Sequence, residues 1–561
     1  MKRSGSSNSK KPGRISNPGA RVLINILVTA IVGVGYFYYS LPALNLHDED
    51  LYMFVGTLCV VYIICALLTW GYDFAASGNS PKEYFKFIKA QCLPIGAALG
   101  VLILIGAVGF IISLPVFRAS SYRNLLSVET GDFAAEVEEI SYGQIPMLDD
   151  VSAQRLGDRK LGELDDMVSQ FEVSNLYTQI NYKNRPVRVT YLNYGDIIKW
   201  FNNRGRGLPA YIVVDMVTQE ASVVRLSEGM KYSPSEHFGR NLYRHLRFKY
   251  PTYIFSTPIF EVDENGHPYW ICPKIEKTIG LFGGTDINGA ILVDAVTGQS
   301  TYYAEVPTWV DRLYSAELIV KQYNYHGTLV NGFFNSIFGQ RDVTVTTEGY
   351  NYIALGDDVY MYTGVTSVGG DQSNIGFLLC NQRTKETKYY RCSGATEYSA
   401  MSSAQGVVQH LNYSATFPLL LNISGEPTYF VALKDHAQLV KMYAMVNVRQ
   451  YQIVATGTSV AECERAYIAL LAQHNITERV ELPETSITGI IAEIRTAVLD
   501  GNSYYFLRLS DSEVFYSLSA SENSIVVVLN VGDTVTIDHE VSEGAPSILN
   551  GYSILLDRKA S

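Results

Sequence analysis

Residues 290–303 read AILVDAVTGQSTYY, and two other stretches repeat their order of features. Residues 211–224 read YIVVDMVTQEASVV, and residues 376–390 read GFLLCNQRTKETKYY. In each, an apolar run ends at Asp215, Asp294 or Asn381. Two residues follow, then a Thr, a polar step and a second apolar or aromatic run. The threonines, Thr218, Thr297 and Thr384, are 79 and 87 residues apart. The physical reading is a β-hairpin. Two half-buried strands flank a turn in which the Asp or Asn side chain bonds backbone two residues on. Recurrence at one period makes that hairpin part of an internal repeat.

A second hairpin precedes each of these. Residues 260–270, FEVDENGHPYW, are the clearest case, because Asn265-Gly266 predicts a type I′ turn with positive φ at both central residues. Lys183-Asn184-Arg185-Pro186 and Ser424-Gly425-Glu426-Pro427 look equivalent, and Gly356-Asp357-Asp358 fills the remaining place. Helical patterns at Ser235–Phe248, Val310–Tyr323 and Ser459–His474 join the units, the last opening with a Ser459-x-x-Glu462 capping box. Residues 165–475 therefore read as four tandem units of antiparallel sheet plus helix, near 165–245, 246–330, 331–410 and 411–475.

The stretch FEVDENGHPYW followed by ILVDAVTGQSTYY resembles the PepSY domain, whose late strands carry a VD-x-x-TG signature. Val293-Asp294 and Thr297-Gly298 match it. Val214-Asp215 with Thr218 matches except that Gln219 replaces Gly, and Cys380-Asn381 with Thr384 departs further. PepSY domains occur in propeptides of secreted peptidases and in cell-envelope proteins as inhibitory or regulatory binding modules. The resemblance covers only the repeats and implies a binding role. Three spans followed by such repeats are similar to uncharacterised multi-pass membrane proteins of bacteria.

Those spans lie toward the N-terminus. Val22–Leu41, Leu51–Trp70 and Leu93–Phe117 are apolar runs without Asp, Glu, Lys or Arg. Each is near or above the roughly 20 residues that cross about 30 Å of hydrocarbon. Residues 1–21 form a basic tail with Lys2, Arg3, Lys10, Lys11, Arg14 and Arg21, which predicts a cytoplasmic N-terminus. Asp48, Glu49 and Asp50 place the first link outside, and Lys82, Lys86 and Lys89 place the second inside. Everything after residue 117 then lies outside the cytoplasm, and Arg118 and Arg123 weigh less than those three concordant loops. The first run is too long for a cleaved signal peptide and ends in Tyr, Leu and Pro, so it reads as an uncleaved anchor. With no ionisable side chain inside, the spans read as anchor rather than ion path. Residues 118–164 read as a juxtamembrane helical connector.

Residues 484–561 change style. Ile487–Leu499, Ser503–Leu509, Glu513–Leu518, Ile525–Glu540 and Ile548–Leu556 alternate apolar and polar residues, with turns at Asp500-Gly501 and Gly532-Asp533. Five short strands suggest a small OB-like β-barrel. The expected fold class is thus a membrane-anchored α+β protein: three N-terminal transmembrane helices (22–117), tandem PepSY-like sheet-plus-helix repeats and a C-terminal OB-like barrel.

The chain carries a net charge of −11, and the body beyond the basic tail is more acidic still. That argues against a nucleic-acid partner, which demands neutralising Lys and Arg. Seven Cys without CxxC or zinc-like spacing read as buried free thiols, with a Cys380–Cys392 disulfide as the alternative. Nothing matches HExxH, GxSxG, a Walker loop or GxGxxG. The nine His are dispersed; His237 and His245 are too far apart on one helix for a metal, and His267 reads as a solvated turn residue. Gly283-Gly284 and Gly369-Gly370-Asp371 read as turns, as do Asp263-Glu264 and Asp357-Asp358, which lack calcium-loop spacing. No catalytic, cofactor or metal residue is assigned. The expectation is a non-enzymatic cell-membrane protein whose outer repeats bind a protein or peptide. The alternative is an envelope hydrolase built from Asp357, Asp358, His326 and Asp371.

Overall fold

The computed structural model describes residues 18–77, 81–139, 145–369, 373–477, 485–499, 502–520, 523–539 and 548–556. The basic tail up to residue 17, Gly370-Asp371 and the Asp500-Gly501 turn lie outside them. The chain forms two compact units, Met1–Thr456 and Gly457–Ser561.

The first unit begins with three helices, α1 (Pro18–Ser40), α2 (Glu49–Ser77) and α3 (Pro81–Ile112). Each contains a stretch long and apolar enough to cross a membrane, Gly19–Ser40, Glu49–Gly71 and Ile88–Ile112. Apolar side chains such as Leu23, Ile31, Met53, Leu68 and Ile103 are exposed on their surfaces, as lipid-facing positions require. A connector follows with helices α4 (Pro115–Arg123), α5 (Phe133–Glu136) and α6 (Asp150–Gly162), and one short strand, β1 (Glu129–Gly131).

The body of this unit holds four antiparallel sheets. The first is built from β2 (Phe171–Val173), β3 (Thr178–Tyr182), β4 (Arg185–Tyr194), β5 (Leu208–Asp215) and β6 (Ala221–Met230), with α7 (Ile197–Asn203) between β4 and β5. After α8 (Leu242–Lys249), the second comprises β7 (Ile254–Phe255), β8 (Ile259–Val262), β9 (Pro268–Ile279), β10 (Gly283–Asp294) and β11 (Ser300–Tyr303). After α9 (Ala316–Thr328) come β12 (Thr344–Thr346), β13 (Asn351–Leu355), β14 (Asp358–Ser367), β15 (Ser373–Asn381) and β16 (Thr387–Ala395). After α10 (Glu397–Val407) come β17 (Ser414–Ala415), β18 (Leu419–Ile423), β19 (Glu426–Lys434), β20 (Val440–Asn447) and β21 (Val454–Gly457).

One pairing scheme recurs in all four sheets. The third strand in chain order pairs with the first, second and fourth, and the fourth pairs with the fifth. The third sheet gains β1, which adds in parallel to the outer edge of β16.

The turn between fourth and fifth strands is the stretch quoted at the outset, and its bonding repeats. Asp215 Oδ1 accepts from the amides of Val217 and Thr218, Asp294 Oδ1 from Val296 and Thr297, and Asn381 Oδ1 from Arg383 and Thr384. The next residue, Gln219, Gly298 or Lys385, has positive φ. Glycine suits that conformation, and the first and third sheets hold a longer side chain in it. The fourth sheet places Asn447 there, bonded to the Gln450 amide.

The second-to-third-strand hairpins differ from one another. Lys183-Asn184 and Ser424-Gly425 have positive φ at both residues, as a type I′ turn requires. Asn265-Gly266 does not, contrary to the sequence expectation: only Gly266 is positive. The Asp263 amide bonds to the His267 carbonyl, so the loop has three residues rather than two, and such loops need only a final left-handed residue.

Two helix boundaries also shift. The helix expected over Ser235–Phe248 starts at Leu242, because Phe238 takes φ +55° and Asn241 caps the Arg244 amide. The helix expected over Val310–Tyr323 starts at Ala316 with Ser315 as cap. Residues 311–314 instead spend their amides on Glu261 and on the Gln382 carbonyl.

The second unit carries α11 (Val460–Gln473), whose cap follows the expected box in one half: Ser459 accepts from the Glu462 amide, while Glu462 accepts from the Thr458 amide, one residue before the amide that a capping box uses. Its strands are β22 (Thr485–Leu499), β23 (Asn502–Leu509), β24 (Phe515–Ser519), β25 (Thr534–His539) and β26 (Ile548–Leu556). Their pairing returns to its start in the order β22-β23-β24-β26-β25. Leu507, Leu518, Val526, Val535 and Ile537 fill the interior. The strand expected over Ile525–Glu540 is split: Ser524–Val528 is a 3-10 turn, and Gly532 at φ +99° reverses the chain before β25.

Candidate functional site

The first and second sheets share one core, and a cleft of about 560 Å3 opens beside it. This volume falls within the range of ligand pockets, about 300–1,000 Å3. Its aromatic wall is made by Tyr191 on β4, Phe260 on β8 and Trp270 on β9. The rings pack with centroids 4.7 Å apart for Tyr191–Trp270, 5.5 Å for Tyr191–Phe260 and 5.3 Å for Phe260–Trp270. Trp270 Nε1 donates to the Tyr232 carbonyl at 2.9 Å, which fixes its ring. Thr178, Ser256, Thr257 and Thr285 supply small polar groups to the lining.

Three charged side chains reach the cleft, and each has a partner. Asp150, at the start of α6, pairs with the buried Arg188 of β4. Arg312 lies 4.4 Å from the centre of the Tyr352 ring and donates to the Tyr352 hydroxyl at 2.7 Å. Glu317, in the first turn of α9, accepts from the Tyr350 hydroxyl. Burial alone pushes the Glu317 carboxyl up, but the bond from Tyr350, with smaller help from Ser315 and Arg312, brings it below its ordinary value.

Behind the cleft lies a pair of carboxyl groups that sequence reasoning missed. Glu261 on β8 is fully buried, and its two oxygens accept from the amides of Asp311 (3.0 Å) and Arg312 (2.9 Å). Asp311 is buried too and accepts from the Asn181 amide of β3 at 2.7 Å. Burial, the largest cause, raises both carboxyls above their ordinary values; for Asp311 the neighbouring Glu261 adds to the rise. Strand register shows why Glu261 stands out. It occupies the place of Ile180 in the first sheet, Ile353 in the third and Leu421 in the fourth. A carboxylate replaces an aliphatic residue at one of four equivalent positions, and it joins β8 to the link that leads into α9.

Of the hydrolase alternative, Asp357, Asp358 and His326 are described, and they sit in separate settings. Asp358 receives a two-bond fork from Arg383, at 2.7 Å from both Nε and Nη2, and a bond from Asn381 at 2.8 Å. Asp357 is exposed in the adjoining turn. His326, near the end of α9, bonds through Nδ1 to the Arg123 carbonyl, and burial, the main cause, lowers its pKa. Asp371 lies outside the described residues. Among the described residues no hydrogen bond or ion pair links His326 to Asp357 or Asp358.

His267, expected to be solvated, has Nε2 3.1 Å from Asp294 Oδ1 and so braces the repeated turn. All seven cysteines are free. Cys380 pairs across the ladder with Thr387, and Cys392 lies five residues farther along β16, beyond disulfide reach. Among the described residues no cluster of three or more His, Cys, Asp or Glu is placed to hold a metal ion. No protein-family model and no curated protein matches the chain.

Proposed function

We propose that this chain is a non-enzymatic, membrane-anchored binding protein of the cell envelope. Its body stands at the outer face of the cell membrane, with the N-terminus cytoplasmic, and takes an extended protein or peptide segment in a regulatory or scaffolding role. The observation that carries this reading is the cleft between the first and second sheets. Its wall is aromatic and its two carboxylates are already partnered by Arg188 and Tyr350, so it offers apolar contact and hydrogen bonding rather than a free acid–base pair. The addition of β1 to the edge of β16 supports the same reading, since the chain itself uses strand addition to a repeat sheet. The acidic net charge speaks against nucleic acid as the partner. The recurring five-strand scheme supports the PepSY-like reading, and the five-strand ring of the second unit supports the OB-like one.

The test is a photo-crosslinking side chain at Thr257, in the cleft, compared with one at Ile198, an exposed residue that does not line it. In intact cells of the native host, Thr257 is expected to give a discrete adduct that Ile198 does not. No adduct from Thr257, together with a hydrolytic activity lost on Asp357→Asn and Asp358→Asn substitution, would overturn the proposal.

A further inference from the structure

The segment Phe333–Gly339 holds three apolar side chains out of the protein: Phe334 is 67% exposed, Ile337 51% and Phe338 80%. It is nonetheless a built loop. Residues Asn335–Gly339 form one π-helical turn, the Gln340 amide bonds to the Asn335 carbonyl at 2.7 Å, and Asn335 and Asn331 both donate to the Arg341 carbonyl. An ordered loop that presents a contiguous apolar tip marks a surface that something covers.

Its position says what covers it. Phe333 packs inward on a cluster with Tyr122, Ile279 and Leu329. The Tyr122 hydroxyl donates to the Ser113 carbonyl at 2.6 Å, and Ser113 is the first residue past α3. Ile279 precedes the hairpin tip whose Leu281 and Phe282 amides both bond to Ser113 Oγ. The loop is therefore fastened to the end of the third apolar span, at the level where that span leaves the hydrocarbon. Phe117, 64% exposed, and the exposed Arg118 stand on the short connector that follows α3, and Arg341, paired with the exposed Asp342, follows the loop. Exposed apolar tips beside cationic side chains match an interfacial membrane contact.

We propose that Phe334, Ile337 and Phe338 insert into the leaflet at which α3 ends, so that the body touches lipid at a second place besides its spans. The occupant is lipid: the loop is fastened at the end of the apolar span, and Ile112 and Phe117 at that end are exposed and apolar as its tip is. The proposal rests on the membrane reading of α1–α3 and not on the proposed binding function.

The test uses the full chain in lipid nanodiscs, with Phe338→Trp read against the parent, whose four Trp set the baseline. Lipids brominated near the glycerol end of the acyl chain are expected to remove most of the added emission, and soluble acrylamide little of it. Quenching by acrylamide alone would place the tip in water and overturn the proposal. Protection from both quenchers would mean that protein, such as a second copy, covers the tip, and would overturn it too. Ile337→Trp gives the same readout if Phe338→Trp does not fold. A chain that does not enter nanodiscs at all overturns the membrane reading together with the loop's role.

Discussion

Glu261 sets the chemistry of the site region at the scale of a single residue. A buried carboxyl with a raised pKa favours its protonated form in the folded state. Its contribution is fully present below the ordinary carboxylate pKa, about 4.3, and is lost as pH rises through the folded-state value. Stability should therefore fall on the alkaline side, with a slope of up to about 1.4 kcal/mol per pH unit for one group. Glu261→Gln removes this group's titration but keeps an acceptor for only one of the Asp311 and Arg312 amides, its NH2 facing the other, so the parent and variant are compared by the pH slope rather than by absolute stability. The melting temperature of the full chain in detergent, followed from pH 5 to about pH 9, is expected to fall less in this variant than in the parent. Parallel curves would show that the pair does not hold a proton. Glu261 was hidden in the sequence for a physical reason. In FEVDENG it alternates with Phe260 and Val262 and so reads as a solvent-facing strand residue. All three are buried, because both faces of that strand are covered and the period-two rule fails.

Among elements, the hairpins were legible and their joints were not. The turn carrying Thr218, Thr297 and Thr384 is specified locally, by an Asp or Asn that bonds the next amides, and local chemistry is visible in sequence. The start of α9 was misplaced because residues 311–314 bond to Glu261 and Gln382, far away in the chain. Helix α10 left no apolar period to find: its buried face includes Ala400 and Ala404. The β9–β10 hairpin shows how such an element is fastened. Ser113 Oγ accepts from the Leu281 and Phe282 amides at 2.9 and 3.1 Å and donates to the Gly109 carbonyl at 2.6 Å. Ser113→Ala strips two amides of their acceptor, each loss costing about 1–3 kcal/mol where water cannot replace it. Hydrogen exchange at Leu281 and Phe282 should then speed up about tenfold or more. Unchanged protection would show that the tip is held by apolar packing alone.

For the whole molecule, composition and hydropathy revealed the three apolar helices, and the repeated turn revealed the sheets that follow. The cleft was not legible, because its lining comes from β3, β4, β8, β9, β10 and the start of α9, segments that only the shared core of two sheets brings together. The central claim is a body carried at the outer face of the membrane, and side-specific labelling tests it most directly. Ser227, exposed on β6, and Lys86, exposed near the start of α3, should lie on opposite sides. Four of the native cysteines are buried, and the other three lie in α2 and α3, so the background is low. With a membrane-impermeant maleimide on intact cells, Ser227→Cys is expected to label fully and Lys86→Cys only after lysis. Labelling of Lys86→Cys in intact cells, with Ser227→Cys protected until lysis, would contradict the account.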